Sequence, residues 1–341
     1  MLRVSGLPEE MIMHDRLAII LEQGGAGVNI FFFISGFVLS LPFLKALQTS
    51  GVVSLKHYYQ RRLIRIEPPY IISLLILFIP AVYIVHANFE DAFKHLAASI
   101  FYVHNIVYGS QSTINPVAWT LEIEMQFYLL LPLFAFLFFR KNVYVRRILL
   151  IAALFGLSQL YASNVSWFEA NHLSKSFIAY AANFFTGIII ADVFITHKNF
   201  FSGSKHFLWD VAGIVALVCI FHYSGYQAWD IRLLVFIFYS VMFIAMFKGK
   251  LLPALLSNKW IVTIGGMCYS IYLVHYAVIY AAVFGLRHLL TGNYYGDVVL
   301  HSVVLVPVVL VCSGGFFVGC EKRFLTHKSN KLFDSNFVRG V

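Results

Sequence analysis

Nine long apolar runs divide the chain, at about 27–44, 70–87, 116–139, 147–163, 176–196, 207–223, 229–247, 260–286 and 297–320. Each approaches or exceeds the roughly 20 residues a helix needs to cross about 30 Å of hydrocarbon. Only 12% of residues are charged and 60% are hydrophobic, against about 25% charged in soluble domains. The pattern predicts an all-α fold, a polytopic transmembrane helix bundle with nine strong spans. A weaker stretch at 92–108, carrying Lys94, His95 and His104, reads as a short interfacial or re-entrant helix on the outer side. Neither an internal repeat nor a second domain is visible. The expected division is an external N-terminal segment (1–26), a membrane domain (27–321) and a cytoplasmic tail (322–341).

The net charge of +9 points to topology and not to nucleic acid, because Lys and Arg gather in cytoplasmic loops of membrane proteins. Nineteen of the 25 basic residues fall after alternate spans, on one side; five fall on the other, and Arg232 sits near an outer span end. That side is predicted to be the cytoplasm and to hold the C-terminus. Nine spans then put the N-terminus outside. Met1–Ala26 has no charged start, apolar core and small-residue cleavage site, so it is not a signal peptide; the expectation is that a helix preceding it is missing from this chain. The four cysteines form no C-x-x-C pair, and neither a metal site nor a disulfide framework is expected.

Chemistry is concentrated in four stretches. In Trp119-Thr-Leu-Glu122-Ile-Glu124-Met-Gln126-Phe-Tyr128 two carboxyls lie in a run that contains no Lys or Arg. Charge at the centre of a membrane helix costs about 2.5–3.5 kcal/mol on insertion scales, which marks these as functional candidates. They lie about 200° apart on a helix, roughly 9–12 Å below its outer end at 1.5 Å per residue. Capping of a neighbouring helix, or a bond to a buried tyrosine, is open for either one. His275, flanked by Tyr272 and Tyr276, falls at a similar depth. Ser35-Gly36 in the first span suits close helix packing, with a catalytic Ser35 as the other reading. Arg62 and Arg65 are placed in a cytoplasmic loop before Pro68-Pro69 and share a face if that stretch is helical; they fit phosphate binding by guanidinium forks, plain topology anchoring or attraction to anionic lipid. The prolines are placed to begin the next helix.

Together the Gly27-Val-Asn-Ile-Phe-Phe…Ser35-Gly36-Phe37, Arg61-Arg62-Leu-Ile-Arg65-Ile-Glu67-Pro68, Trp119…Glu122-Ile-Glu124-Met-Gln126-Phe127-Tyr128 and Tyr269-Ser270-Ile-Tyr272-Leu-Val-His275 stretches resemble the acyltransferase-3 family of integral membrane O-acyltransferases. The resemblance implies about ten helices and transfer of an acyl group, usually acetyl, from cytoplasmic acyl-CoA. The acceptor would be a hydroxyl of a cell-envelope glycan or lipid-linked glycan, at the bacterial cytoplasmic (inner) membrane. No bound cofactor is expected; acyl-CoA is the donor substrate, and the lipid bilayer is the remaining partner. The family's R-x-x-R maps to Arg62 and Arg65, and its glutamate before Gln-Phe-Tyr maps to Glu124. Its first helix, with a functional histidine, has no counterpart here; His14 is a weak substitute, and a truncated, inactive member is one reading.

On this basis Glu124 and His275 are the expected catalytic residues. Arg62, Arg65, Ser35, Trp119, Glu122, Gln126, Tyr128, Tyr269 and Ser270 are expected to bind or polarise substrates. The rival function is a transporter or flippase of envelope glycans, in which buried carboxyls and a histidine relay protons. The cytoplasmic arginine pair and the lack of repeat symmetry favour the enzyme.

Overall fold

The computed structural model describes residues 23–83, 88–223, 229–286 and 294–324. Expectations for the 1–26 segment up to residue 22, His14 among them, and for the tail beyond 324 lie outside these residues. Helices α1 (Ala26–Thr49), α2 (Leu55–Tyr83), α3 (Phe89–Ile100), α4 (His104–Tyr108), α5 (Trp119–Phe138), α6 (Val143–Ala162), α7 (Val165–Ala170) and α8 (Phe177–Thr196) form the first part. They are followed by α9 (Lys198–Ser202), α10 (Phe207–Tyr223), α11 (Trp229–Lys248), α12 (Leu251–Leu256), α13 (Lys259–Gly266), α14 (Cys268–Leu286) and α15 (Tyr294–Phe316), the last continuing through a π-turn, Phe317–Glu321. No strand occurs among the described residues.

Among the described residues seven helices are long and apolar enough to cross a membrane: α1, α2, α5, α6, α8, α11 and α15 with its extension. Their apolar residues point in all directions, as lipid permits; Leu129, Leu133 and Phe136 of α5 are exposed while Ile123, Phe127 and Leu131 are fully buried. The chain is thus a multi-pass membrane protein. The expected span at 260–286 is not one helix. It breaks after Gly266, and the two pieces, α13 and α14, are bent by 71°. Gly265 and Gly266 have no atom within 4 Å of where a side chain would start, and paired small residues of this kind are where helices kink. The expected span at 207–223 is the 17-residue α10, short for a crossing. The weak 92–108 stretch is two helices, α3 and α4, parted at Tyr102, whose φ is 58°.

A second departure concerns the arginines. They do not lie in a loop. α2 begins at Leu55 and runs 29 residues without interruption into the span, with Pro68 and Pro69 inside it. Tyr58 and Tyr59 fix this extension: their hydroxyls donate to the carbonyls of Tyr128 (3.3 Å) and Leu129 (3.2 Å) on α5. Further along, the Tyr269 hydroxyl donates to the carbonyl of Ile66, at 2.9 Å.

The core lies between α1 and α8, joined by α5 and α11. Two glycines set the α1–α8 distance. A Cβ on Gly36 would stand 2.1 Å from the carbonyl oxygen of Phe184, and one on Gly187 would stand 2.0 Å from that of Phe33. Without a hydrophobic drive between helices in lipid, such close backbone approach supplies the van der Waals contact that holds them. Phe32 and Phe184 meet across the seam, 4.9 Å between centroids, while Phe33 packs on Tyr239 and Phe243 of α11 and Phe185 on Phe134 and Phe138 of α5; all four are fully buried. At the other end of α8, buried Asp192 accepts from Arg146 and, at 2.7 Å, from Arg147, tying α6 to α8.

Candidate functional site

Glu124 faces inward from the second turn of α5 and is 6% exposed. Its Oε1 accepts from Ser35 Oγ of α1 at 3.1 Å and from the Tyr128 hydroxyl one turn along α5. Ser35 and Gly36 therefore divide the two readings of their pair. Gly36 makes the close approach to α8, and Ser35, on the adjacent face, reaches the carboxyl. No described residue forms a hydrogen bond to Glu124 Oε2, so its lone pairs can serve a substrate.

The arginine pair reaches the same place. The Arg62 guanidinium carbon lies 5.9 Å from the centre of the Tyr128 ring, and the charges of Arg62 and Arg65 both act on Glu124. Arg62 is half-buried and Arg65 exposed. Tyr128 is the midpoint of the 20-residue α5, so the continuous α2 carries Arg62 alongside the middle of that helix. The result is a chain of contacts, Arg62–Tyr128–Glu124–Ser35, across α2, α5 and α1. It links a cationic fork to a buried carboxyl through the side chain of Tyr128.

The other expected site residues are placed elsewhere. Glu122 Oε2 accepts the backbone N–H of Asn105 at 2.9 Å, which caps the start of α4; its Oε1 is buried without a partner. Beside it, the Lys175 ammonium lies 5.7 Å from the centre of the Trp119 ring. Burial lowers the pKa of Lys175, and the charge of Glu122 opposes that shift. Trp119 also packs on Tyr180, 5.5 Å between centroids. Gln126 Oε1 accepts the Phe177 N–H at 2.8 Å and so caps α8, whose own N-cap, Ser176, makes no side-chain cap. Tyr269 braces α2 at Ile66, and Ser270 donates to Glu321 Oε2 at 2.5 Å.

His275 is not joined to Glu124. Its Nδ1 lies 2.8 Å from the carbonyl of Tyr272 and 3.1 Å from that of Ile271. Two acceptors there require the proton on Nδ1, which leaves Nε2 as the basic nitrogen. Tyr272, its neighbour, accepts from Thr120 Oγ1 at 2.5 Å and donates to the Val117 carbonyl, securing α14 to the start of α5.

Several contacts were not readable from the chain. Lys175, Arg232 and Glu321 counted only as charges, and nothing in sequence spacing pairs Lys175 with Glu122 or Ser270 with Glu321. His95 Nδ1 and His104 Nε2 lie 2.7 Å apart, with the Tyr108 ring against both. Burial first, and the neighbouring His95 second, lower the His104 pKa to about 4.

A family model described as "Acyltransferase domain" matches residues 6–318. A peptidoglycan O-acetyltransferase of Listeria monocytogenes, OatA, is 28% identical over 289 residues, which is 76% of this chain and 45% of that protein. A candidate O-acetyltransferase of Staphylococcus aureus (strain COL) is 32% identical over 121 residues, 33% of this chain and 20% of that protein. An uncharacterized protein of Haemophilus influenzae is 28% identical over 184 residues, 50% of this chain and 75% of that protein. The matched region thus spans less than half of either named relative. No solved structure matches the chain.

Proposed function

Because the chain belongs to the acyltransferase-3 family, we propose that it O-acetylates a cell-envelope glycan, taking the acetyl group from acyl-CoA. The observation that carries this reading is the Arg62–Tyr128–Glu124–Ser35 chain, in which a guanidinium fork and a buried carboxyl are linked through one tyrosine. In this scheme nine crossings, the broken α13–α14 pair and the short α10 included, put the C-terminus and the start of α2 at the cytoplasm. The membrane is the bacterial inner membrane. Donor phosphates sit against Arg62 and Arg65, whose planar forks suit them, and the thioester lies toward Glu124.

Ser35 and Tyr128 hold Oε1 and so fix the direction of Oε2. The acceptor hydroxyl gives its proton to Oε2 as its oxygen bonds to the thioester carbon. The carbon–sulfur bond then breaks, and the sulfur leaves as the CoA thiol with the proton that Glu124 held. General base catalysis of this kind contributes about 10²–10⁴-fold. His275, with a basic Nε2, is the second candidate base, and Trp119 and Glu122 belong to the acceptor side. To test the scheme, the full chain and Glu124→Gln are expressed in cells and glycan O-acetylation is measured by mass spectrometry. Acetylation should fall by about 10²–10⁴-fold, the share attributed to the base; an unchanged level removes Glu124 from the mechanism.

A further inference from the structure

A polar cavity lies apart from Glu124, near the starts of α1, α8 and α11. It measures about 130 Å³ and is lined by Asn29, Tyr161, Tyr180, Asn183, Arg232 and Tyr239 among others. Engineered cavities of about 150 Å³ hold a benzene-sized ring, and this one is open on one side, so it takes a small charged group and one edge of the ring that carries it. Its walls are unusual for a lipid-embedded bundle. Seven of its ten lining residues carry a polar group: four tyrosine hydroxyls, one guanidinium and two amides.

Arg232 is the key residue. Its Nη2 donates to the Ala179 carbonyl at 3.2 Å, and its guanidinium carbon stands 4.9 Å from the centre of the Tyr161 ring. Its Nη1 is buried, and among the described residues it has neither a hydrogen-bond partner nor a carboxylate paired with it. Cations inside membrane proteins are ordinarily paired or face a substrate path. Across the cavity Asn183 Nδ2 donates to Asn29 Oδ1 at 3.4 Å, a long bond that leaves the Asn29 amide N–H groups and the Asn183 carbonyl for another molecule. A guanidinium fork takes a carboxylate or phosphate, amides take hydroxyls, and tyrosine rings offer a flat apolar face. That combination suits a sugar bearing an oxyanion.

The cavity is also within reach of the chemistry. Asn29 precedes Ser35 by six residues on α1, about 9 Å along the helix. Tyr180 borders the cavity on one face and packs against Trp119 on another, at 5.5 Å. We propose that this cavity is an acceptor subsite that seats a sugar carrying a carboxylate or phosphate, with the anion on Arg232 Nη1 and the hydroxyls on Asn29 and Asn183. The proposal rests on the glycan-acceptor reading above and narrows it to an anionic glycan.

Binding tests it without turnover. The full chain, purified in detergent, is heated with glucuronate, glucose 1-phosphate, glucose or inorganic phosphate, and the unfolding midpoint is followed, since a ligand of the native state raises it. Glucuronate or glucose 1-phosphate should raise the midpoint saturably, with an apparent Kd at least tenfold tighter than glucose or inorganic phosphate; which of the two does so identifies the anion. Arg232→Gln should weaken that binding at least tenfold and Arg232→Lys less. Should Arg232→Gln not fold, Asn183→Ala, which keeps the charge, should still weaken the sugar ligands and leave inorganic phosphate unchanged. Glu124→Gln should bind as the native chain does. Equal binding of glucose, equal binding of inorganic phosphate, no saturable binding by either anionic sugar, or undiminished binding by folded Arg232→Gln would overturn the proposal. Because the readout is occupancy, its failure leaves acetyl transfer standing, and a loss of acetyl transfer leaves occupancy measurable.

Discussion

Gly36→Ala is the sharpest test of how the site is held. The added Cβ would begin 2.1 Å from the Phe184 carbonyl oxygen and 2.8 Å from its Cα, where carbon–oxygen contacts settle at about 3.3 Å. The obstacle is backbone, so no rotamer change relieves it, and α1 and α8 must part by about 1.2 Å to restore that spacing. Overpacking costs about 1–3 kcal/mol where side chains can adjust; here we expect about 3 kcal/mol or more on that scale. Ser35 lies on the displaced helix, 3.1 Å from Glu124, and a shift of that size takes the pair beyond hydrogen-bond range. Stability and acetylation should therefore fall together. Gly156→Ala is the control, since nothing lies within 4 Å of its Cβ position and alanine is favoured there by about 0.5–1 kcal/mol in a helix interior. Thermal unfolding in detergent and acetylation in cells are measured for Gly36→Ala, Gly187→Ala, the double variant and the control. The second alanine should cost little once the first has parted the helices, a coupling between neighbours that a double-mutant cycle reads directly. A Gly36→Ala protein as stable and active as the control would refute the close-packed seam.

Tyr128→Phe keeps the ring beside Arg62 and removes one donor to Glu124; at about 1.5–3 kcal/mol for a bond to a charged group, kcat/KM for acetyl transfer should fall about 10–150-fold, read from initial rates. Asp192→Asn leaves Arg146, buried on α6, without its charge partner, so thermal unfolding should report a loss of about 3–5 kcal/mol. His104 should make stability depend on pH. Its folded pKa, about 4, lies below its ordinary value, so as pH falls from about 6.5 the unfolded chain takes up a proton that the folded chain refuses. Stability is thus unaffected above that range and declines toward pH 4, and His104→Asn should flatten the decline in a denaturant series.

The membrane class was legible because lipid demands long apolar helices, and α1, α5, α6, α8 and α11 lie close to where hydropathy placed them. Hydropathy is blind to continuity. It gave 260–286 as one span because Gly265 and Gly266 are apolar enough to pass, although they remove the side chains that would hold a straight helix. It ended the span of α2 near residue 70 because Arg61, Arg62 and Arg65 are charged, although Tyr58 and Tyr59 bind that segment to α5. Helix periodicity did separate Glu122 from Glu124, and the structure gives them different partners. What spacing could not supply were contacts between distant helices: Ser35 with Glu124 across 89 residues, or Asn29 with Asn183 across 154.

The proline pair in α2 gives that helix a mechanical character. A proline has no N–H and frees the carbonyl four residues before it, so Pro68 and Pro69 leave the carbonyls of Ile64 and Arg65 without their helical donors. Bending there breaks no backbone hydrogen bond at those two positions. α2 is then a lever jointed between its arginine arm and its lipid-embedded arm, and the Tyr269 hydroxyl on Ile66 is the latch beside the joint. Arg62 lies six residues from Pro68, about 9 Å, and a swing of about 10° displaces it by about 1.5 Å over that arm. Such a swing decides whether a guanidinium is in or out of hydrogen-bond range of a phosphate. Any such swing is tied, through the Tyr269 hydroxyl, to α14, the helix that carries Tyr269, Ser270 and His275.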